Sequence, residues 1–291
     1  MQNNIKIVVA SGKGGVGKSM LTSALANLFA ENKKIIALDC DVDAPNLAVW
    51  LNEIKNWDKT EKISTSLKAI INKKKCNGCG ICIEKCRFNA LKIEKNRARV
   101  SPFLCEGCGI CQIVCPQKAI TLRKVKNGEI KTKKTKDGFI LISGQLFPGE
   151  AGSGKIVSEI KERADKFDYD IMIIDSSPGT GCPVIASLRE TNFVILVTEP
   201  TPSGFSDLKK VLEVVKYFKI PYSVVINKWD INKKLSQRIE IWSGNNFLGK
   251  ISYDKEIFKA ISRLMPIMET DLKAKEEIIK IYKNLTKKLF L

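Results

Sequence analysis

Eight of the ten cysteines fall in two runs of identical spacing: Cys76, Cys79, Cys82 and Cys86, then Cys105, Cys108, Cys111 and Cys115. Each reads C-x2-C-x2-C-x3-C, and Pro116 follows the second run. Such crowding of thiolates ligates a soft metal centre, zinc or an iron–sulfur cluster. Zinc knuckles pair one C-x2-C with a distant second pair, so the doubled spacing favours [4Fe–4S]. A second constellation lies upstream. The run Gly12, Lys13, Gly14, Gly15, Val16, Gly17, Lys18, Ser19 and Met20 contains the phosphate-binding pattern G-x4-G-K-S. Glycines there let backbone N–H groups converge on phosphate oxygens at a helix N-terminus. Lys18 would reach the β- and γ-phosphates, and Ser19 would ligate Mg2+. Asp175 ends an apolar run and would hold the same Mg2+ through water. A similar run, Gly149-x4-Gly154-Lys155, is followed by Ile156, which cannot bind Mg2+, and reads as a loop before a helix.

The elements that must position these residues follow an alternating pattern. Apolar runs at Ile5–Ala10, Ile35–Leu38, Asp170–Asp175, Phe193–Val197 and Ser223–Ile226 predict strands. Lys18–Ala30, Ile156–Lys166 and Leu208–Phe218 predict helices, the first with Leu21, Leu25, Leu28 and Phe29 on one side. Strands alternating with helices imply an α/β fold, a mostly parallel sheet covered on both faces. Residues 60–125 have a different texture, with the cysteines and no long helical period. Cys86-Arg87-Phe88-Asn89-Ala90-Leu91 parallels Cys115-Pro116-Gln117-Lys118-Ala119-Ile120, the mark of a duplicated module. The expected organisation is a discontinuous P-loop domain, 1–60 and 126–291, carrying an insert over 61–125. Lys126–Lys136 reads as a basic connector.

Composition narrows the function classes. The chain has no histidine, so imidazole neither acts as a base nor ligates metal. The formal charge of +18 comes from 49 Lys and Arg against 31 Asp and Glu, and only eight of the cations are arginine. Sequence-specific nucleic-acid readers lean on arginine forks, so nucleic-acid binding is not expected. An acidic redox partner is a simple use of the charge. No apolar run approaches the length of a membrane-spanning helix, the N-terminus lacks a signal peptide's features, and a cytoplasmic location is expected.

The loop Lys13-Gly14-Gly15-Val16-Gly17-Lys18-Ser19 resembles the deviant Walker A of the MinD/ParA ATPases, a group that includes nitrogenase iron protein and cluster-carrier scaffold ATPases. Asp39-Cys40-Asp41 resembles that family's switch I, and Asp175–Pro183 its switch II. Thr198–Gly204 resembles a subgroup with an inserted ferredoxin domain. The resemblance implies ATP hydrolysis in a nucleotide-sandwich homodimer. Lys13 crosses to the partner's nucleotide, Lys18 holds the phosphates, and Asp41 orients the attacking water beside Mg2+. Asp39 and Asp43 support metal or loop geometry. Asn227 contacts the base and Asp230 lies near it, although Asn227-Lys228-Trp229-Asp230 also fits the guanine-reading N-K-x-D pattern; ATP is expected over GTP.

The cysteine runs resemble those of bacterial two-cluster ferredoxins, in which the fourth cysteine crosses to the other cluster. That likeness implies one [4Fe–4S] cluster on Cys76, Cys79, Cys82 and Cys115, and another on Cys105, Cys108, Cys111 and Cys86. Cys182, seven residues beyond Asp175, matches the position of a cluster-ligating cysteine in nitrogenase iron protein; the alternative is a small residue packing a loop, and Cys40 is a strained second ligand. Near the C-terminus, Ile278, Ile281, Tyr282, Leu285 and Leu289 form a stripe that either packs on the sheet or, with its lysines, anchors to a membrane. The function expected is ATP-driven electron delivery to a redox or metalloenzyme partner. The alternatives are cluster or metal carriage and redox-sensing positioning.

Overall fold

In the computed structural model, residues 4–290 are described. The strands are β1 (Ile5–Ser11), β2 (Ile35–Cys40), β3 (Lys59–Ile63), β4 (Ser66–Ile71), β5 (Leu91–Glu94), β6 (Arg97–Val100), β7 (Ile120–Val125), β8 (Gly128–Lys134), β9 (Ile140–Leu146), β10 (Ile171–Pro178), β11 (Phe193–Thr198), β12 (Tyr222–Asn227) and β13 (Phe247–Ile251). The helices are α1 (Lys18–Ala30), α2 (Leu47–Trp50), α3 (Ile81–Glu84), α4 (Ile110–Ile113), α5 (Ser153–Ala164), α6 (Cys182–Leu188), α7 (Pro202–Tyr217), α8 (Lys233–Ser243), α9 (Glu256–Ser262) and α10 (Lys273–Phe290).

Nine strands form one sheet in the order β13-β12-β11-β1-β10-β2-β9-β8-β3, and the pairs from β13 to β9 are parallel. The central strands are buried at nearly every position because helices cover both faces. Helix α1 is buried almost all round, so it has no wide polar face. Lys126–Lys136 is not a connector: β8 occupies most of it. Ile130 is buried there, and Lys133 pairs with the buried Glu53. Lysines hid the strand because their stems can pack while their charges are paired.

The C-terminal stripe is consumed by the core. Ile278, Ile281 and Leu285 are buried in it, and Tyr282 meets Phe29 edge-on at 4.8 Å. Gly249 of β13 admits α10, since a Cβ there would lie 2.5 Å from Ile281. The face that a membrane anchor needs is already covered. No described helix is long and apolar enough to cross a membrane.

The chain divides into two compact units. The larger takes residues 1–60, 130–145 and 153–291; the smaller takes 61–129 and also 146–152. In the smaller unit β4 pairs antiparallel with β7, and β5 with β6. Displacing the first half by 29 residues carries Cys76 onto Cys105, α3 onto α4 and β5 onto the start of β7. The internal repeat is therefore structural as well as sequential.

Candidate functional site

The phosphate loop joins β1 to α1 and is tightly constrained. Gly17, at the N-terminus of α1, has φ 91°, a left-handed conformation that favours glycine. A Cβ at Gly17 would meet the Asn227 side chain at 2.2 Å, and one at Gly12 would meet the Asp207 carbonyl at 2.1 Å. A cleft of about 270 Å3 opens beside the loop. Gly14, Lys18, Ser19 and Asp41 line one part of it, and Trp50, Tyr253 and Phe258 another. The loop thus supplies an anion cradle, and the aromatic side chains supply flat apolar surface beside it.

Three carboxylates converge below the loop. Asp39 is fully buried and accepts from Leu47 N at 2.9 Å and Asp41 N at 3.3 Å, which shapes the turn after β2. Lys18 Nζ lies 3.9 Å from Asp41 Oδ2. Burial pushes the Asp41 carboxyl up to about 6, against Lys18 and with Asp175. Burial likewise raises Asp39 and Asp175. Asp175 Oδ1 stands 3.4 Å from the Thr22 hydroxyl, while Asp175 Oδ2 is buried without a hydrogen-bond partner. An orphaned carboxylate oxygen beside Ser19 fits a site that gains a divalent cation with its nucleotide.

Lys13 is held within its own chain. Its Nζ donates to Glu199 Oε1 at 2.9 Å. Lys228 Nζ donates to Glu199 Oε2 at 3.1 Å and to the Gly15 carbonyl at 3.1 Å. Burial opposes ionisation of Glu199, but the two lysines outweigh it and hold the carboxyl below its ordinary range. The Thr198–Gly204 segment builds this clamp. Thr201 caps α7 by accepting from Gly204 N, and the Thr198 hydroxyl donates to the Gly204 carbonyl. Glu199 and Lys228 were visible in the sequence only as members of motifs, and neither was singled out for this role. The two ends of the Asn227 amide are taken by the Val16 carbonyl and Lys228 N. Asp230 accepts from Tyr253 N at 2.7 Å and is not among the residues lining the cleft.

In the smaller unit the eight cysteines separate into two groups. Cys76, Cys79, Cys82 and Cys115 line one cavity with Pro116. Cys86, Cys105, Cys108 and Cys111 line the other. Each group receives two backbone N–H···S contacts at equivalent positions. Ala98 N approaches Cys76 Sγ at 3.4 Å and Ala119 N approaches Cys115 Sγ at 3.3 Å. Ala69 N approaches Cys105 Sγ at 3.5 Å and Ala90 N approaches Cys86 Sγ at 3.4 Å. Burial and neighbouring thiols push Cys82 and Cys111 up. Gly78 and Gly107 turn the loops with φ 76° and 66°; a Cβ on them would strike the carbonyls of Asn96 at 2.4 Å and Leu67 at 2.0 Å. Among the described residues no three Cys, Asp or Glu converge closely enough for one metal ion. Tetrahedral zinc would draw thiolates to roughly 3.8 Å from one another.

The remaining cysteines lie in the larger unit. Cys182 is exposed at the first turn of α6, where Gly154 of α5 comes close. Cys40 is fully buried in β2, and burial pushes its thiol up, which removes it as a ready thiolate partner for Cys182. Beneath it Lys161, also buried, donates to the carbonyls of Ala186, Ser187 and Arg189 at the end of α6. In the Gly149-x4-Gly154-Lys155 run only residues 149–152 are loop; Ser153, Gly154 and Lys155 form the first turn of α5.

A phosphate loop between β1 and α1, a buried strand-end acid on the adjacent β10 and a parallel sheet define a P-loop nucleotide-binding protein. The chain belongs to the CobQ/CobB/MinD/ParA nucleotide-binding domain family, whose model matches residues 7–267. An uncharacterised protein of Methanocaldococcus jannaschii is 35% identical over 281 residues, covering 97% of this chain and 96% of that one. An iron–sulfur cluster carrier protein of the same organism is 25% identical over 310 residues, covering 98% of this chain and 84% of its own. The septum site-determining protein MinD of Pyrococcus horikoshii, solved with Mg-ADP, superposes with a TM-score of 0.60 at 16% identity, covering 99% of this chain and 98% of that one.

Proposed function

We propose that the protein is an ATP-hydrolysing iron–sulfur protein whose nucleotide cycle gates delivery from two [4Fe–4S] clusters in a ferredoxin-like insert. The observation that carries this reading is the sorting of eight cysteines into two groups of four, each crossing between the two sequence runs. The N–H groups aimed at four sulfurs suit thiolate ligands, because such donors stabilise the charged form. When bound, the clusters supply one-electron chemistry or transferable iron and sulfide.

The larger unit supplies the switch. Lys18 and the loop amides bind the phosphates, Ser19 and Asp175 hold Mg2+, and Asp41 orients the attacking water. Lys13 leaves Glu199 and reaches the nucleotide of a second copy, so hydrolysis waits for a homodimer. The cycle has a covalent route to the insert. Segment 146–152 of the smaller unit runs directly into α5, and α5 packs on α6, which begins just past the Asp175 loop.

Cluster or metal carriage is the leading use, since iron–sulfur cluster carriers match nearly the whole chain. Electron delivery is the second reading; four cysteines around each cavity would leave no iron with an open position, which favours retention. Anaerobic reconstitution tests the shared core. About eight irons per chain and two interacting reduced-cluster EPR signals that shift with MgATP support it. A low iron count, or spectra indifferent to nucleotide, refutes it.

A further inference from the structure

The two cysteine cavities are built alike but finished differently. Phe88 and Ile110 line the cavity of Cys86, Cys105, Cys108 and Cys111 and are exposed. Phe103, Leu104 and Ile113, within two residues of Cys105 or Cys111 in sequence, are exposed as well, Phe103 by 75% and Ile113 by 79%. The 29-residue repeat puts Gln117, Lys74, Lys75, Ile81 and Glu84 at the equivalent sequence positions of the other half, and Gln117 lines the other cavity. Four of the five apolar positions there are polar. A requirement of the shared fold would act on both halves, since both carry the same turns, strands and N–H···S contacts. The difference therefore answers to something outside the module. Large side chains exposed together, next to a delivering site, mark a contact surface.

We infer that the rim of the Cys86/Cys105/Cys108/Cys111 cavity is the face on which an acidic acceptor protein docks. This rests on the reading that the cavities hold the delivering clusters. Charge selects the occupant: residues 61–129 carry fifteen Lys and Arg against five Asp and Glu, and Lys85 and Arg87, which flank Cys86 of this cavity, are exposed. A second copy of this chain brings the same positive charge and is repelled. A carboxylate-rich protein with an apolar centre is attracted by the basic surround and desolvates the aromatic and aliphatic rim. An anionic lipid surface shares the charge but has no use for proximity to one cavity rather than the other.

The test measures binding, without turnover, by anaerobic calorimetry on the reconstituted full chain, with a flavodoxin as the acidic probe protein. The wild type is expected to bind, and to bind at least about ten-fold more weakly when salt rises from about 0.05 to 0.3 M. Phe103→Ser/Ile113→Ser is expected to weaken binding by about ten-fold or more. The equivalent pair on the other cavity, Lys74→Ser/Glu84→Ser, should stay within about two-fold. Because Phe103 packs on Gly149, Ile113→Ser alone serves as the variant free of folding effects; it should weaken binding by about three-fold or more. Equal effects at the two cavities, no binding by the wild type, or Ile113-dependent sedimentation with phosphatidylglycerol vesicles would overturn the inference. Rim-dependent binding by a protein that delivers neither electrons nor clusters would instead refute the proposed function alone.

Discussion

Replacing Glu199 by Gln should make the protein dimerise more readily with nucleotide. In the single chain Glu199 holds Lys13 at 2.9 Å, so crossing to a partner's nucleotide first requires breaking that pair. Lys13 is 42% exposed and Glu199 11%, so the contact is half-solvated and screened. Such a pair contributes roughly 0.5–1 kcal/mol. Two protomers each release one Lys13, so the dimer carries about 1–2 kcal/mol of this cost, a factor of about 5–30 in its dissociation constant. Gln keeps the size and one acceptor while removing the charge. Lys228 retains the Gly15 carbonyl as a second acceptor, so the phosphate loop should keep its shape. The assay is ATP turnover against protein concentration, with sedimentation to count dimers. Half-maximal turnover should move to a protein concentration about 5–30-fold lower, with little change in the plateau. A curve that does not move would show that Lys13 is released without cost. A lower plateau with an unmoved midpoint would show that Glu199 acts in hydrolysis itself.

Other consequences are more local. Burial holds the Lys161 ammonium down to about 8, so it costs stability below that pH and the cost is relieved as pH rises from about 8 towards 10.5. The wild type should therefore gain up to about 3 kcal/mol over that window relative to Lys161→Met, read by denaturant unfolding at each pH. Cys115→Ser should remove the same cluster signal as Cys76→Ser, and Cys86→Ser the other, in EPR of the reduced proteins; loss of matching signals by Cys86→Ser and Cys76→Ser would contradict the crossed pairing. Gly107→Ala places a Cβ 2.0 Å from the Leu67 carbonyl at a left-handed position, and should destabilise the smaller unit by about 1–3 kcal/mol. Its iron content should fall while nucleotide binding persists.

The frame of the nucleotide site was legible because each part is written in contiguous residues. The loop from Gly12 to Ser19 lies between a strand and a helix that follow simple periodicities, and Asp175 ends an apolar run. Helix α1 begins and ends where its pattern places it. The crossed grouping of cysteines is what the likeness to two-cluster ferredoxins implies, and the same two sets of residues line the two cavities. What escaped depends on long-range contacts. Glu199 meets Lys13 across 186 positions, and no local pattern marks such a pair. Strand β8 reads as connector because its lysines are paired or exposed while only Ile130 carries the apolar signal. The stripe of α10 had two readings because amphipathicity does not say what covers it; the close approach at Gly249 decides that.

The central claim is that nucleotide gates delivery from the two cysteine sites. It is tested most directly by mixing the reconstituted protein with an apo-acceptor of [4Fe–4S] clusters, anaerobically, with and without MgATP. Iron is then counted on both proteins after separation. The leading reading predicts that MgATP moves iron and sulfide to the acceptor, and that Lys18→Ala abolishes the transfer. Clusters retained through turnover while the acceptor is reduced would support electron delivery instead. Iron that stays put with no reduction of the acceptor, or moves equally without ATP, would contradict gating altogether.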